Sequence, residues 1–332
     1  MASPVGTTDK RIDALLALLA ENSTIVISGA KMAREIGVTR QTVWRWVDKL
    51  RKLGVKVQGH PRTGYHIERI PDILAPKLVA HSLRGTIFSK RIYHFFKVDS
   101  TNTAAMRLGE QGEAHGAVVL AEEQTAGRGR AGRKWTSEKS AGIHATVLLR
   151  PEVAPMHAPL LTLVAGVAAR DAVADETGLA PDIRWPNDLL LNGKKCGGIL
   201  TEMQAEPDRI HYAVVGIGIN VNQSRMPAEL SENATSLRIE TGRICSRLEL
   251  LARLLRHFDR YYNQFISQGG APILKRFAEV SSYHEGKRVK ITTPRETFEG
   301  VTVGLEPSGV LRVKREDGRT EAVVTGDVVE VR

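Results

Sequence analysis

The sequence predicts an α+β chain of several domains: a winged helix-turn-helix at the N-terminus, a central sheet mixed with helices, and a small β-barrel at the C-terminus. Three observations lead there. Residues 1–70 hold 12 Lys/Arg against 6 Asp/Glu, which supplies +6 of the formal charge of +10. The apolar residues of the first 54 positions recur mostly at helical spacing, whereas residues 285–332 alternate with period two between glycines. A chain of 332 residues buries a sizeable core and holds two or three domains, and 42% hydrophobic with 25% charged residues is ordinary globular composition.

Ile12, Leu15, Leu16 and Leu19 lie at helical spacing, with Thr7 or Thr8 as the N-cap. Ser28 caps a short helix that ends at Gly37, and Thr39 caps a second that runs to Gly54. On this second helix Val43, Trp46, Val47, Leu50 and Leu53 share one face. Arg40, Gln41, Trp44, Arg45 and Lys52 fall off that stripe and are the candidates to enter a DNA major groove. Val55–Gln58 and Tyr65–Glu68 alternate about Gly59–Gly64, which predicts a β wing. Residues 31–62 carry nine cations and two acids, enough to neutralise several phosphates and make binding salt-dependent. A basic helical module also suits a protein adaptor; turn, wing and charge together favour DNA. Pro71 and Pro76 punctuate the exit, and a boundary is placed near residue 72.

Ile92–Val98 reads as a strand that delivers Ser100, Thr101 and Asn102 to a helix start, where such residues are ordinarily caps. The apolar run Val118–Leu120 leads into Glu122–Trp135, in which Arg128, Arg130, Arg133 and Lys134 alternate with Gly127, Gly129 and Gly132. Glycine lets the backbone approach an anion closely, and crowded guanidinium groups repel unless an anion screens them. Such a loop is expected to order when filled, with Trp135 as a flat surface for a base; the alternative is a solvated loop that binds nucleic acid without specificity. Asn187 and Asp188 sit in a polar turn that could be a simple Asx turn, and Lys195 precedes an inward strand as snorkelling lysines do. Val214–Asn222 is a buried strand with two glycines, yet no third glycine or helix follows, and no P-loop exists in the chain; any ATP cradle must be the Arg-Gly loop. A helix over Ser246–Ile266, with Leu248, Leu251, Leu254, Leu255, Phe258 and Tyr262 inward, and a second helix to Val280 precede the five C-terminal strands.

The two cysteines, Cys196 and Cys245, form neither a CxxC nor a Cys/His cluster, which points away from a disulfide framework or zinc site, and no metal ligand set is assigned. No signal-peptide pattern is legible, and the apolar stretch near Leu160–Ala169 is too short for a membrane span, so a reducing cytoplasm is expected.

Five segments in register resemble the biotin protein ligases: Ser100-Thr101-Asn102, Gly127–Trp135, Arg184-Trp185-Pro186-Asn187-Asp188, Lys194–Leu200 and Gly216–Asn220. With the N-terminal module, the chain is similar over nearly its whole length to the bifunctional biotin ligase and biotin-operon repressor. The resemblance implies a class II synthetase-like catalytic domain, an SH3-like C-terminal barrel, and domains over 1–71, 72–283 and 284–332. It implies that Ser100, Thr101, Asn102, Gln124, Arg128, Gly129, Arg130 and Lys195 bind biotin, and that Arg133, Trp135 and Asn220 bind the nucleotide. Lys195, Arg130 and Asp188 would be catalytic, with Asp188 orienting or assisting the acceptor amine. ATP with Mg2+ and biotin would be the reactants. The implied partners are the biotin carboxyl carrier protein, biotin operon DNA and a ligand-induced homodimer, with no membrane. Two other readings are a ligand-sensing repressor without ligase activity and a lipoate or octanoate ligase, which lacks the Arg-Gly loop. Ala131 departs from the family, where arginine is common, and puts adenylate retention in question.

Overall fold

A computed structural model describes residues 10–22, 25–52, 55–60, 62–67 and 72–331. Helices α1 (Lys10–Glu21), α2 (Gly29–Ile36) and α3 (Arg40–Lys52) form the N-terminal module with the hairpin β1 (Val57–His60) and β2 (Gly64–Ile67). The caps are those that the residues require. Ser28 Oγ accepts the Lys31 amide at 3.1 Å, Gly37 closes α2 at φ 73°, and Thr39 Oγ1 accepts the Thr42 amide at 3.2 Å. Val43, Val47 and Leu50 are buried, whereas Arg40, Gln41, Trp44 and Arg45 are exposed on the opposite side of α3. The first wing strand begins at Val57, two residues later than its alternation suggested, and runs on to His60, because Val55 turns into the module's core instead of pairing. The expected Thr7/Thr8 cap, Leu53, the helix end at Gly54, Glu68 and Pro71 lie outside the described residues, as does the Lys52 side chain.

α4 (Pro76–Ser82) leads to a seven-stranded sheet built from β3 (Ile92–Phe95), β4 (Ala117–Ala121), β5 (Gly142–Leu149), β6 (Asp182–Arg184), β7 (Asp188–Leu191), β8 (Lys194–Ala205) and β9 (Ile210–Asn220). The order is β3-β4-β5-β9-β8-β7-β6, and only β3 and β4 run parallel. β3 stops at Phe95, short of the expected Val98, which makes an isolated bridge to Gln124. Both faces are covered, so β4 reads as continuous apolar sequence. Ala117, Val119 and Ala121 pack toward α5 (Thr101–Glu110), while Val118 and Leu120 join the core beneath α6 (Ala158–Thr177), α8 (Arg247–Gln268) and α9 (Ala271–Val280). A short α7 (Leu237–Thr241) precedes α8. Ser246 caps α8 through the Glu249 amide. Leu248, expected on the inner stripe, is only half-buried; Leu250 and the fully buried Arg247 take the inner positions because Arg247 is drawn onto the buried Glu122 carboxylate and the Asp72 carboxylate.

Strands β10 (Glu285–Thr292), β11 (Thr297–Leu305), β12 (Leu311–Arg315), β13 (Thr320–Val323) and β14 (Asp327–Glu330) form a five-stranded antiparallel sheet in the order β13-β12-β11-β10-β14. Val289, Ile291, Leu311, Val313, Val323 and Val328 join the same core as the central helices. The N-terminal module differs: its apolar residues form a separate cluster, to which Ile73 and Ala75 of the linker also belong. Leu74, between them, points into the central core. Among the described residues no helix is long and apolar enough to cross a membrane.

Candidate functional site

A cavity of about 360 Å3 opens between the central sheet and the C-terminal sheet. Its polar end is built by the turn from β3 into α5. The Asp99 carboxylate takes the Ser100 amide at 2.7 Å, and buried Ser100 holds the N-cap position in extended backbone without a side-chain capping bond. Thr101 donates through its amide at 2.8 Å and its hydroxyl at 3.1 Å to Gln124 Oε1. Asn102 Nδ2 donates to Leu200 O at 3.1 Å and Glu202 Oε2 at 2.8 Å, while its Oδ1 accepts from the Thr146 hydroxyl at 2.7 Å. These three residues therefore serve the cavity and not the helix end. Gly216 is what lets Asn102 lie there, since a Cβ at 216 would collide with its amide oxygen.

The Arg-Gly loop lies across the cavity mouth. Its base is closed by the Trp135 amide on Gly127 O at 2.9 Å and the Gly129 amide on Arg133 O at 2.7 Å. Ala131 sits at φ 53° inside a single 3-10 turn, Arg130–Gly132. The guanidinium groups fan outward to three different elements. Arg128 reaches Glu202 on β8 at 2.7 Å; Arg130 reaches Asn187 Oδ1 at 3.2 Å and Thr325 Oγ1 at 3.1 Å; Arg133 pairs with Asp327 on β14. The Trp135 indole lies against Gly218, where a Cβ would stand 2.6 Å from its ring, and Lys195 Nζ is 5.9 Å from the ring centroid.

At the other wall Asp188 is buried between Lys195 at 2.5 Å and Arg184 at 2.6 Å. Burial pushes its carboxyl up, but Lys195 and then Arg184 outweigh burial and hold it below the ordinary aspartate value. The group is an ionised clamp, poorly suited to accept a proton. Asn187 is fixed by Nδ2 on Ile199 O at 2.8 Å, and buried Asn220 donates to Thr235 O at 3.0 Å. His144 lines the cavity with Nε2 at 2.8 Å from Ser137 Oγ; burial, aided by Arg247, lowers its pKa to about 4.

Ser100, Thr101, Asn102, Gln124, Arg128, Gly129, Arg130, Arg133, Trp135, Asp188, Lys195 and Asn220 thus line one cavity, although the sequence scatters them over more than a hundred positions. Arg40, Gln41, Trp44 and Arg45 stand apart on α3. Thr146, Glu202, Thr325 and Asp327 were not anticipated. Thr146 was the most legible of them, as a hydroxyl inside the apolar run Ala145–Leu149. Among the described residues no group of three or more His, Cys, Asp or Glu is placed to hold a metal ion.

The Biotin/lipoate A/B protein ligase family matches residues 95–220, an HTH domain matches 11–66, and the Biotin protein ligase C terminal domain matches 284–329. The bifunctional ligase/repressor BirA of Bacillus subtilis is 35% identical over 306 residues, covering 92% of this chain and 94% of that protein. BirA of Escherichia coli is 29% identical, with 95% of each chain covered. The solved biotin protein ligase from Aquifex aeolicus, in complex with biotin and ATP, superposes with a TM-score of 0.63 at 30% identity, covering 73% of this chain and 99% of that one. Since the likeness runs through the helix-turn-helix, the cavity and the C-terminal sheet alike, the chain belongs to the bifunctional ligase/repressor family of biotin protein ligases.

Proposed function

We propose that the cavity activates biotin with MgATP and passes it to a lysine of a biotin carboxyl carrier domain. In the first step a biotin carboxylate oxygen attacks the α-phosphate and pyrophosphate leaves, forming biotinyl-5′-adenylate. In the second the carrier amine attacks the carbonyl carbon, the bond to the phosphate oxygen breaks, and AMP leaves. One observation carries this reading: polar groups suited to a ureido ring, three cations suited to a carboxylate and phosphates, and a stacking indole meet in a single cavity. Ser100, Thr101, Asn102 and Gln124 would hold the ring, with Gly129 leaving backbone open beside it. Arg128, Arg130 and Lys195 would stabilise charge as it moves between carboxylate and phosphoryl oxygens. Arg133, Trp135 and Asn220 would hold the nucleotide, and Mg2+ enters with ATP as part of the substrate. A loop lying across the mouth keeps water from a mixed anhydride. Asp188, held ionised by two cations, suits orienting Lys195 and the incoming amine better than removing a proton.

The exposed face of α3 would enter the operator's major groove, with the wing on the backbone. We assign domains to 1–71, 72–283 and 284–332, read the last as SH3-like, place the protein in a reducing cytoplasm, and infer that adenylate favours a homodimer that suits a two-fold operator. Sedimentation with and without biotin plus MgATP tests that last step, and an unchanged mass removes it. A single incubation with biotin, MgATP and a carrier domain tests the ligase: the carrier gains one biotinyl group on lysine. A carrier of unchanged mass, or one that takes lipoate in preference, overturns the reading.

A further inference from the structure

Arg247, the first residue of α8, is wholly buried, and its partners come from three separated stretches of chain. Its Nε donates to Asp72 Oδ2 at 2.9 Å and Nη2 donates to Asp72 O, while its amide donates to Asp72 Oδ1 at 3.0 Å. Nη1 donates to Gly142 O at 3.2 Å and stands 2.8 Å from Glu122 Oε2. Glu122, itself buried, accepts the Leu74 amide at 3.0 Å and pairs with His94 at 3.1 Å.

The placement of these partners matters more than their number. Glu122 and Gly142 are the two roots of the Arg-Gly loop: Glu122 lies two residues before Gln124, and Gly142 two residues before His144. The roots are tied to each other, since the Ser140 amide donates to Glu122 O at 2.9 Å, and Ser137 Oγ joins the Gln124 amide to His144. Asp72 and Leu74 begin the linker whose Ile73 and Ala75 belong to the core of the DNA-binding module, and Asp13 of α1 holds the Lys77 amide at 3.3 Å. A helix cap alone needs only the Asp72 carboxylate. A buried guanidinium is expensive unless every donor is matched, and here the matching groups belong to the loop and the linker together.

We propose that Arg247 is a positioning residue that couples the two roots of the ligand loop to the linker of the DNA-binding module, so that adenylate occupancy is transmitted within one chain to operator affinity. The proposal rests on the ligase and repressor reading above and adds a route that does not need a second copy.

Full-length Asp72→Ala tests it, because it removes the linker's carboxylate from the clasp and leaves Arg247 with Glu122, Gly142 O and the Asp72 main-chain carbonyl. Adenylate formation should keep kcat and KM within about two-fold of wild type, as for a change outside the cavity. The gain in operator affinity on adding biotin and MgATP should shrink about ten-fold, and by linkage operator DNA should lose the same factor in its effect on adenylate affinity. Exchange of the Leu74 amide, slowed by ligand in wild type, should no longer respond. Arg247→Lys should lose the coupling and also raise the biotin KM, because one ammonium cannot hold both roots; an unfolded Arg247→Lys leaves the Asp72→Ala result decisive. A full ligand-dependent gain in Asp72→Ala overturns the proposal. If wild type itself shows no such gain, the repressor reading fails, and Leu74 exchange decides the clasp: a ligand response present in wild type and absent in the variant upholds it, and any other pattern overturns it.

Discussion

The two ends of this chain are attached in opposite ways. The N-terminal module closes its own core around Leu15, Val43, Leu50 and Tyr65, and meets the rest through a short linker, the apolar side chains of Leu78 and Phe96, and a few hydrogen bonds from backbone amides to carboxylates. The C-terminal sheet has no separate core; Val289, Ile291 and Leu311 share one with Leu160, Phe277 and Trp185, and Trp185 Nε1 donates to Gly309 O at 2.9 Å. The difference follows the work each end does. A domain that must find DNA gains from independent placement, whereas a sheet whose Thr325 and Asp327 hold the loop must stay at a fixed distance from it.

Truncation breaks the comparison most severely. A chain starting at residue 72 should fold and release pyrophosphate from biotin and MgATP, while a chain ending at 283 should expose the shared core and fail to give a soluble monomer on size exclusion. Substitutions inside each core come next, at about 2–5 kcal/mol each. Leu50→Ala should weaken operator binding and leave carrier biotinylation intact; Leu311→Ala should lower the melting temperature and the ligase activity together. Equal loss of ligase activity in both variants would mean that the cores are not independent.

Acid separates the two ends further. Glu122 is pushed up by burial, yet His94, Arg247 and the Leu74 amide bring its pKa to about 2, below its ordinary 4.5. Its stabilisation is present above pH 4.5 and lost as pH falls toward 2, roughly 3 kcal/mol in all. His144, lowered to about 4, is neutral in the fold, so its contribution is present above 6.5 and lost as pH falls toward 4. Asp13 in the N-terminal module is raised by burial and has the opposite sign, becoming easier to bury as it protonates. Calorimetry from pH 7 to 4 should show the central transition falling faster than the N-terminal one, and Glu122→Gln should flatten the acid limb below pH 4.5. The smallest effects belong to the loop itself. Arg130→Ala should speed adenylate release roughly ten- to a hundred-fold, the size of a lost charge-assisted hydrogen bond, and Thr325→Val about five-fold. Stopped-flow dissociation that matches wild type in both would detach the loop from retention.

The helix-turn-helix was legible because its signals are local: Ser28, Gly37 and Thr39 act on residues three or four positions away. The Arg-Gly loop was legible from composition, and its neighbours from motifs in register. What escaped depends on distant pairing. β5 meets β9 some seventy residues later, which is what brings Thr146 beside Asn102 under Gly216. Thr325 and Asp327 reach the loop only because the last sheet docks where it does, and no period in the sequence carries that information. Nothing in the sequence singled out Arg247; its burial depends on carboxylates more than a hundred positions away. The expected capping role of Ser100 gave way for a related reason, as the cavity makes other use of the helix start.

The bare backbone of β9 has a practical consequence. With Asn102 pressed on Gly216 and the indole of Trp135 on Gly218, this wall has no slack in which a wider ligand could settle. Retargeting the enzyme to bulkier vitamin analogues would have to begin at the facing side of the cavity, and a methyl added at Gly216 or Gly218 should displace Asn102 or Trp135 and weaken the natural substrate instead of broadening the choice.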